Sequence, residues 1–366
     1  MANKETVSPP PFRLPDRFEF LNKTLAGGQA FVYLCRDKFL DRQVALKAPK
    51  SPITEGAVRK ELAILSGLKS KHVTQVYDVL EDKKSGHFAI VEEFVPGPTL
   101  EEYVERTNIQ KEDFLRILYQ LACALSDIHA AGKVHRDVTP RNVKFDAESV
   151  LKILDFGLSS VARPEGVTPQ ARGTPGFVGP EFYGSLPAHF SAAADVYGFG
   201  ATAWFMALNG VLPPSLLEVP PQSLTAAPSF STAGMSLPIE IVEVLNATLL
   251  PNPSRRPHAP CVRDTLKRHL LFGRHRATIH YEGKTYVLSD QGKAARLPAG
   301  NDTITVKYSG LAFVVAAVTG DVYINNNPAK ADDILPDACV ITLGAPPLKQ
   351  ARKFVPVNMS HPEVVL

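Results

Sequence analysis

The chain has 366 residues, 45% of them hydrophobic and 21% charged, with a formal net charge of +3. That length provides for two or three domains with ordinary cores. With 40 basic against 37 acidic side chains, it lacks the basic excess of a nucleic-acid binder held by bulk charge. The cysteines Cys35, Cys123, Cys261 and Cys339 lie far apart and form no C-x-x-C pair. This argues against a disulfide framework or structural zinc site and favours a reducing compartment. The longest apolar stretches, near 198–208 and 311–318, fall well short of the ~20 residues a membrane-spanning helix needs. The polar N-terminus leads into Pro9-Pro10-Pro11 with no apolar signal core. The expectation is a cytoplasmic protein with no membrane segment and no nucleic-acid partner.

Residues 1–16 are polar and proline-rich and read as a flexible lead-in. The runs 18–25, 30–36, 43–48, 73–80 and 87–93 read as short strands separated by turns. Between them 57–68 reads as an amphipathic helix, with Val58, Leu62, Ile64 and Leu65 as its apolar set. From 100 to 271 the pattern is mainly helical. Phe114, Ile117, Leu118, Leu121, Leu125 and Ile128 sit at helical spacing and predict a core-facing stripe. The stretch 213–238, rich in Pro and Ser, reads as a loop with short turns. After 273 the runs 278–281, 285–288, 303–308, 311–318, 321–324 and 339–343 alternate with turns at Glu282-Gly283, Asp290-Gln291-Gly292 and Thr319-Gly320. This predicts a small all-β domain.

The sharpest chemical signal is His135-Arg136-Asp137-Val138-Thr139-Pro140-Arg141-Asn142, followed across the β-like 150–154 by Asp155-Phe156-Gly157. Two carboxylates and an amide in this order suit phosphoryl transfer. Asp137 can orient or accept the proton of an attacking hydroxyl, and Asn142 and Asp155 can hold a divalent cation against a triphosphate.

On these motifs the segment from about 18 to 271 resembles a eukaryotic-type protein kinase domain. The resemblance implies an α+β fold of two lobes, β-rich over 17–95 and helical over 96–272, with the β domain over 273–366. It implies ATP and Mg²⁺ as cofactors, Mn²⁺ being the alternative, and a protein substrate. Val44-Ala45-Leu46-Lys47 resembles the strand whose lysine reaches the α- and β-phosphates, and Glu61 matches its glutamate partner. Leu25, Ala26, Gly27, Gly28 and Val32 fall where the glycine-rich phosphate loop lies, with Ala30 in place of its third glycine. By similarity, Ala45, the Glu93 carbonyl and the Val95 N–H border the adenine, and Glu92 guards the back of the pocket.

The resemblance extends to structural pairs. Glu181 matches a glutamate that pairs with a later arginine, here Arg256, and Asp195 matches an aspartate that anchors the catalytic-loop backbone. Arg136, Thr168 and Thr174 are the regulatory candidates, Thr168 as an activation-loop phosphosite matched by Arg136. Thr139 stands where serine/threonine kinases usually carry lysine, and Arg141 offers a replacement charge that resembles tyrosine kinases. Gly173-Thr174-Pro175 is the serine/threonine pattern, which is the acceptor class expected. A tyrosine or dual-specificity kinase and an ATP-binding pseudokinase scaffold are the alternatives. The C-terminal stretch around 320–326 and 335–344 weakly resembles a forkhead-associated domain, implying a protein or phosphopeptide partner. The arginine and serine–histidine motifs of that family are absent, so a β-sandwich for protein contacts stands beside it.

Overall fold

The computed structural model describes residues 5–6, 9–26, 30–82, 86–156, 174–183, 191–218, 228–289, 293–336, 338–360 and 364. Contacts divide the chain into two compact units, Met1–Leu266 and Lys267–Val365.

The first unit opens with strands β1 (Glu5–Thr6), β2 (Phe18–Ala26), β3 (Ala30–Asp37) and β4 (Arg42–Pro49). Helix α1 (Pro52–Leu65) follows, then β5 (Val76–Asp82) and β6 (His87–Glu93). The six strands form one sheet in the order β1-β2-β3-β4-β6-β5, with every pair antiparallel. Both faces of its middle are covered. Val44, Leu46, Ala89 and Val91 pack with Phe18, Tyr33 and Cys35 on one side. Ile90, Phe88 and Ala30 pack with Val58 and Leu62 of α1 on the other. A strand covered on both faces reads as a continuous apolar run, which is why Lys47 stands out in β4.

Helix α1 begins five residues ahead of the expected start. Its first turn, from Pro52 with Glu55, follows the preference for proline at the first helical position and for acid at the N-terminus. Side-chain periodicity becomes visible only after that turn. Strand β5 begins at Val76 rather than at 73 because residues 72–74 are bound elsewhere. Val73 makes an isolated parallel bridge to Ile153. The Thr74 hydroxyl donates to the Ile153 carbonyl at 3.1 Å.

The helical part comprises α2 (Leu100–Arg106), α3 (Lys111–Ala130), the hairpin of β7 (Val143–Phe145) and β8 (Leu151–Ile153), then α4 (Ala192–Ala207), α5 (Pro214–Leu217), α6 (Ile239–Thr248) and α7 (Ala259–Leu270). A capping box starts α2: the Glu102 N–H donates to Thr99 Oγ1 at 3.1 Å, and the Thr99 N–H to the Glu102 carboxylate at 2.9 Å. The expected apolar stripe of α3 is buried throughout. Helix α4 is apolar nearly all round and buried from Asp195 to Trp204, as befits a helix inside a core. The stretch read as a loop over 213–238 carries α5 and a 3₁₀ turn at Phe230–Thr232. Phe230 is fully buried and stacks on Trp204 with ring centroids 4.3 Å apart.

The second unit is all-β: β9 (Ala277–Tyr281), β10 (Lys284–Leu288), β11 (Ala294–Ala299), β12 (Asp302–Tyr308), β13 (Phe313–Thr319), β14 (Val322–Ile324), β15 (Asn327–Pro328), β16 (Ala338–Leu343) and β17 (Lys353–Met359). The sheets run β10-β9-β17-β16-β14-β15 and β11-β12-β13. Their apolar faces share one core, with Ile279, Ile341 and Val357 from the first and Leu297, Ile304 and Val315 from the second, the arrangement of a sandwich. The β9–β10 turn places Glu282 and Gly283 at φ 48° and 74°, the doubly left-handed geometry of a two-residue hairpin. Strands β11, β15 and β17 went unread in the sequence. Pro298 and Pro356 sit inside β11 and β17 and argue against strand by residue type. Pro298 is tolerated because β11 is an edge. Pro356 pairs with Val340 of β16 but lies outside the β9 ladder, which reaches only Val357–Met359.

Candidate active site

Strand register assembles the first half of the site. Leu25 pairs with Val32, Val32 with Lys47 and Lys47 with Ile90. Residues paired across strands share a face, so Leu25, Val32 and Lys47 line one side of the sheet. Ala45, two residues from Lys47, lies on the same side and pairs with Glu92. The Lys47 ammonium donates to Glu61 of α1 at 2.7 Å and to Asp155 at 3.0 Å. Glu61 is only 1% exposed, and its carboxylate also accepts the backbone N–H of Phe156 at 3.0 Å. Lysine, glutamate and the Asp155-Phe156 pair, distant in sequence, are therefore one hydrogen-bonded cluster.

The second half is built around Asp195. Its carboxylate, buried at the start of α4, accepts the backbone N–H of His135 at 2.8 Å and of Arg136 at 2.7 Å, and lies 2.8 Å from His129 Nε2. Arg136 is held at φ 76° and Asp155 at φ 61°, conformations a non-glycine residue adopts only when its surroundings over-determine them. Gly198 lets α4 approach this loop: a Cβ there would stand 2.8 Å from the Val138 carbonyl. The ring of His135 lies 4.6 Å from that of Phe156, and its Nε2 is 2.9 Å from the Leu154 carbonyl. The two motifs thus brace each other.

Between these halves sits Asp137. Asn142 Nδ2 donates to the Asp137 carboxylate at 2.7 Å and to its carbonyl at 2.9 Å. The Thr174 hydroxyl donates to the other carboxylate oxygen at 3.0 Å. Just past the end of β6, the Lys144 ammonium donates to the Val95 carbonyl at 2.8 Å. Lys152 Nζ lies 2.8 Å from the Glu93 carboxylate. Arg141 is exposed and turned to Glu101 of α2, 2.9 Å from both carboxylate oxygens. The expected pair of Glu181 and Arg256 meets at two 2.7 Å contacts.

Leu25, Val32, Ala45, Lys47, Glu61, Glu93, Val95, Arg136, Asp137, Asn142, Asp155 and Thr174 are all placed in this one unit. Gly27, Gly28 and Thr168 lie outside the described residues, and Ala26 is described only as the end of β2. Sequence reasoning missed His129, Lys144 and the Thr174–Asp137 contact. Each contact joins residues far apart in the chain, and no local pattern announces the pairing.

Burial and the excess of carboxylates set the electrostatics. Burial alone would depress the Lys47 ammonium. The carboxylates of Glu61, Asp155 and Glu92 outweigh it and raise its pKa above the ordinary value. Burial raises the Glu61 carboxyl against the pull of Lys47. Burial also raises Asp137, opposed by His135 and by the hydrogen bonds from Asn142 and Thr174, which suits a group that must take up a proton.

Asp155 keeps its side chain half-exposed at 51%. Asn142 has committed its NH₂ group to Asp137 and retains its amide oxygen as a donor atom. Among the described residues no group of three or more His, Cys, Asp or Glu is arranged to hold a metal ion. An oxygen pair of this kind fits a hard divalent cation that is completed by phosphate and water, and does not fit a zinc cage. No helix among the described residues is long and apolar enough to cross a membrane.

Comparison with known proteins agrees with this geometry. Residues 18–259 match the family model described as "Protein kinase domain". The chain is 31% identical over 267 residues to the putative CBL-interacting protein kinase 13 of Oryza sativa subsp. japonica, covering 70% of this chain and 51% of that protein. It is 30% identical over 274 residues to the serine/threonine-protein kinase drp72 of Corynebacterium efficiens, covering 65% and 52%. It is 32% identical over 219 residues to the CBL-interacting serine/threonine-protein kinase 12 of Arabidopsis thaliana, covering 57% and 44%. The chain spans about half the length of the curated relatives it matches. With the matched segment covering well over half of its residues, the chain belongs to the protein kinase domain family.

Proposed function

We propose that the protein is a serine/threonine kinase that moves the γ-phosphoryl group of ATP to a protein hydroxyl. The observation that carries this reading is the single cluster of Lys47, Glu61 and Asp155, with Asp137 and Asn142 beside it. Lys47, held by Glu61, binds and orients the α- and β-phosphates. Backbone groups of Glu93 and Val95, with Leu25, Val32 and Ala45 around them, border the adenine, and Gly27 and Gly28 belong to the segment that resembles the phosphate loop. Asp137 orients the incoming hydroxyl and takes its proton as the new O–P bond forms. The bond between the γ-phosphorus and the β–γ bridging oxygen breaks, and ADP leaves with the electron pair. Asn142 and Asp155 would hold Mg²⁺, or Mn²⁺ in its place, which neutralises charge on the phosphates when bound.

The serine/threonine class is supported by Gly173-Thr174-Pro175 and by the printed names of the relatives. Autophosphorylation at Thr168, answered by Arg136, is the proposed activating step. The division into kinase residues 17–272 and a β domain over 273–366 belongs to the same reading, with the β domain offering a contact surface for a protein or phosphopeptide. The four cysteines are free thiols, in keeping with a cytoplasmic setting. The test is incubation of the full chain with γ-labelled ATP, Mg²⁺ and a mixed protein substrate, followed by phosphoamino-acid analysis. Labelled phosphoserine or phosphothreonine is expected. Phosphotyrosine alone would overturn the acceptor class, and no label in either substrate or enzyme would overturn the activity.

A further inference from the structure

Glu92 sits where fold stability gives it no reason to be. It lies on β6 opposite Ala45, as Ile90 lies opposite Lys47, so its side chain shares the sheet face of Lys47, one row of side chains away. The opposite face is closed by Val44, Leu46 and Val91. Glu92 is 9% exposed, and its Oε1 has no hydrogen-bond donor among the described residues. The charged groups that act on it are Lys47 from β4, Glu61 from α1 and Asp155 after β8. The one cation among them already donates to both Glu61 and Asp155. Neighbouring Glu93, by contrast, is paired with Lys152. A buried acceptor left unpaired costs stability. An apolar residue of similar size would fill the position better, so a donor that arrives with a ligand is the natural partner.

We propose that Glu92 reads the nucleotide base: its carboxyl oxygen accepts a hydrogen bond from the exocyclic amino group of a 6-aminopurine, which makes it a specificity-determining residue for ATP. This rests on the nucleotide-site reading above, in which the Glu93 carbonyl takes one of the two amino hydrogens. The second hydrogen is then left for the adjacent carboxyl. A 6-oxopurine offers no hydrogen there and sets a lone pair against the carboxylate. Burial pushes the Glu92 carboxyl up to about 8. Below that pH the neutral acid can donate its own O–H to a 6-oxo group. Discrimination between amino and oxo purines therefore sharpens as pH rises through this range.

The test is calorimetric titration of the full chain with ATP and with inosine triphosphate, both with Mg²⁺, at pH 6.5 and 8.5. Wild type, Glu92→Met and Glu92→Gln are compared, and melting of the free proteins verifies that each is folded. Wild type is expected to prefer ATP, more so at the higher pH. In Glu92→Met the preference at pH 8.5 falls by about tenfold or more, the worth of a hydrogen bond to a charged group. Both variants lose the pH dependence of that preference seen in wild type. An ATP-to-inosine-triphosphate ratio equal in wild type and Glu92→Met at both pH values overturns this inference and leaves the nucleotide site standing. Failure of wild type to bind either nucleotide overturns the site and the inference together.

Discussion

Two buried cations in the kinase unit are treated in opposite ways. Arg256 is enclosed and fully matched. It meets both carboxylate oxygens of Glu181, donates to the carbonyls of Leu250 and Ala193, and lies over the Tyr197 ring at 4.9 Å. Charge is balanced, and every contact is an internal one. Lys47 faces three carboxylates, from Glu61, Asp155 and Glu92. One of these is half-exposed, and Glu92 Oε1 has no hydrogen-bond partner among the described residues. The first arrangement ties together segments of the helical lobe. The second leaves an excess of carboxylates around one ammonium, the place where the proposed function puts a bound cation and the phosphates. The closed ion pair serves the fold, and the open one is where the proposed function places its ligands.

Substitutions at these residues test the contrast. Lys47→Met acts on phosphate transfer. Losing a preorganised donor to the phosphates lowers phosphate transfer by about 10²–10³-fold, read as the initial rate at saturating ATP. Arg256→Ala leaves the part-buried Glu181 without its partner and should cost about 3–5 kcal/mol, measured by urea unfolding.

Glu92 behaves oppositely. Its carboxyl rises from an ordinary 4.5 to about 8 in the folded protein. Between those values the folded state binds a proton that the unfolded chain releases, so stability falls as pH rises through the window, and the full cost is present above it. Glu92→Met removes that fall and should stabilise the protein above pH 8 by on the order of a few kcal/mol, seen as a flatter stability–pH profile. The smallest effect belongs to Gly198→Ala. Its methyl would press on the Val138 carbonyl and should cost about 1–3 kcal/mol, by thermal melting.

The cleft was legible in the sequence because its chemistry constrains residue types. His135 to Asn142 and Asp155-Phe156 must present particular oxygens and amides, and Lys47 is conspicuous as a charge within a run of buried apolar residues. The supporting contacts were not legible. The hydrogen bond from Lys144 to the Val95 carbonyl and that from Thr174 to Asp137 are long-range consequences of packing, and no residue pattern announces them. Arg141 illustrates the limit of analogy: its place in the motif offered a replacement for the missing lysine charge, and its side chain is turned to Glu101. The β domain was legible in class and not in strand count, because the prolines of β11 and β17 hide strands whose register leaves the missing N–H unneeded. Helix α1 was legible along its apolar stripe but not at its first turn, where capping preference decides.

The most direct test compares wild type with Asp137→Asn, measuring Mg·ATP affinity and phosphate transfer on the same samples. Asn keeps the volume of the side chain and its place between Asn142 and Thr174 but cannot take a proton. Retained nucleotide binding with transfer reduced about 10²–10⁴-fold is the result expected. Equal transfer by both proteins would contradict the assignment of Asp137 as the group that receives the hydroxyl proton.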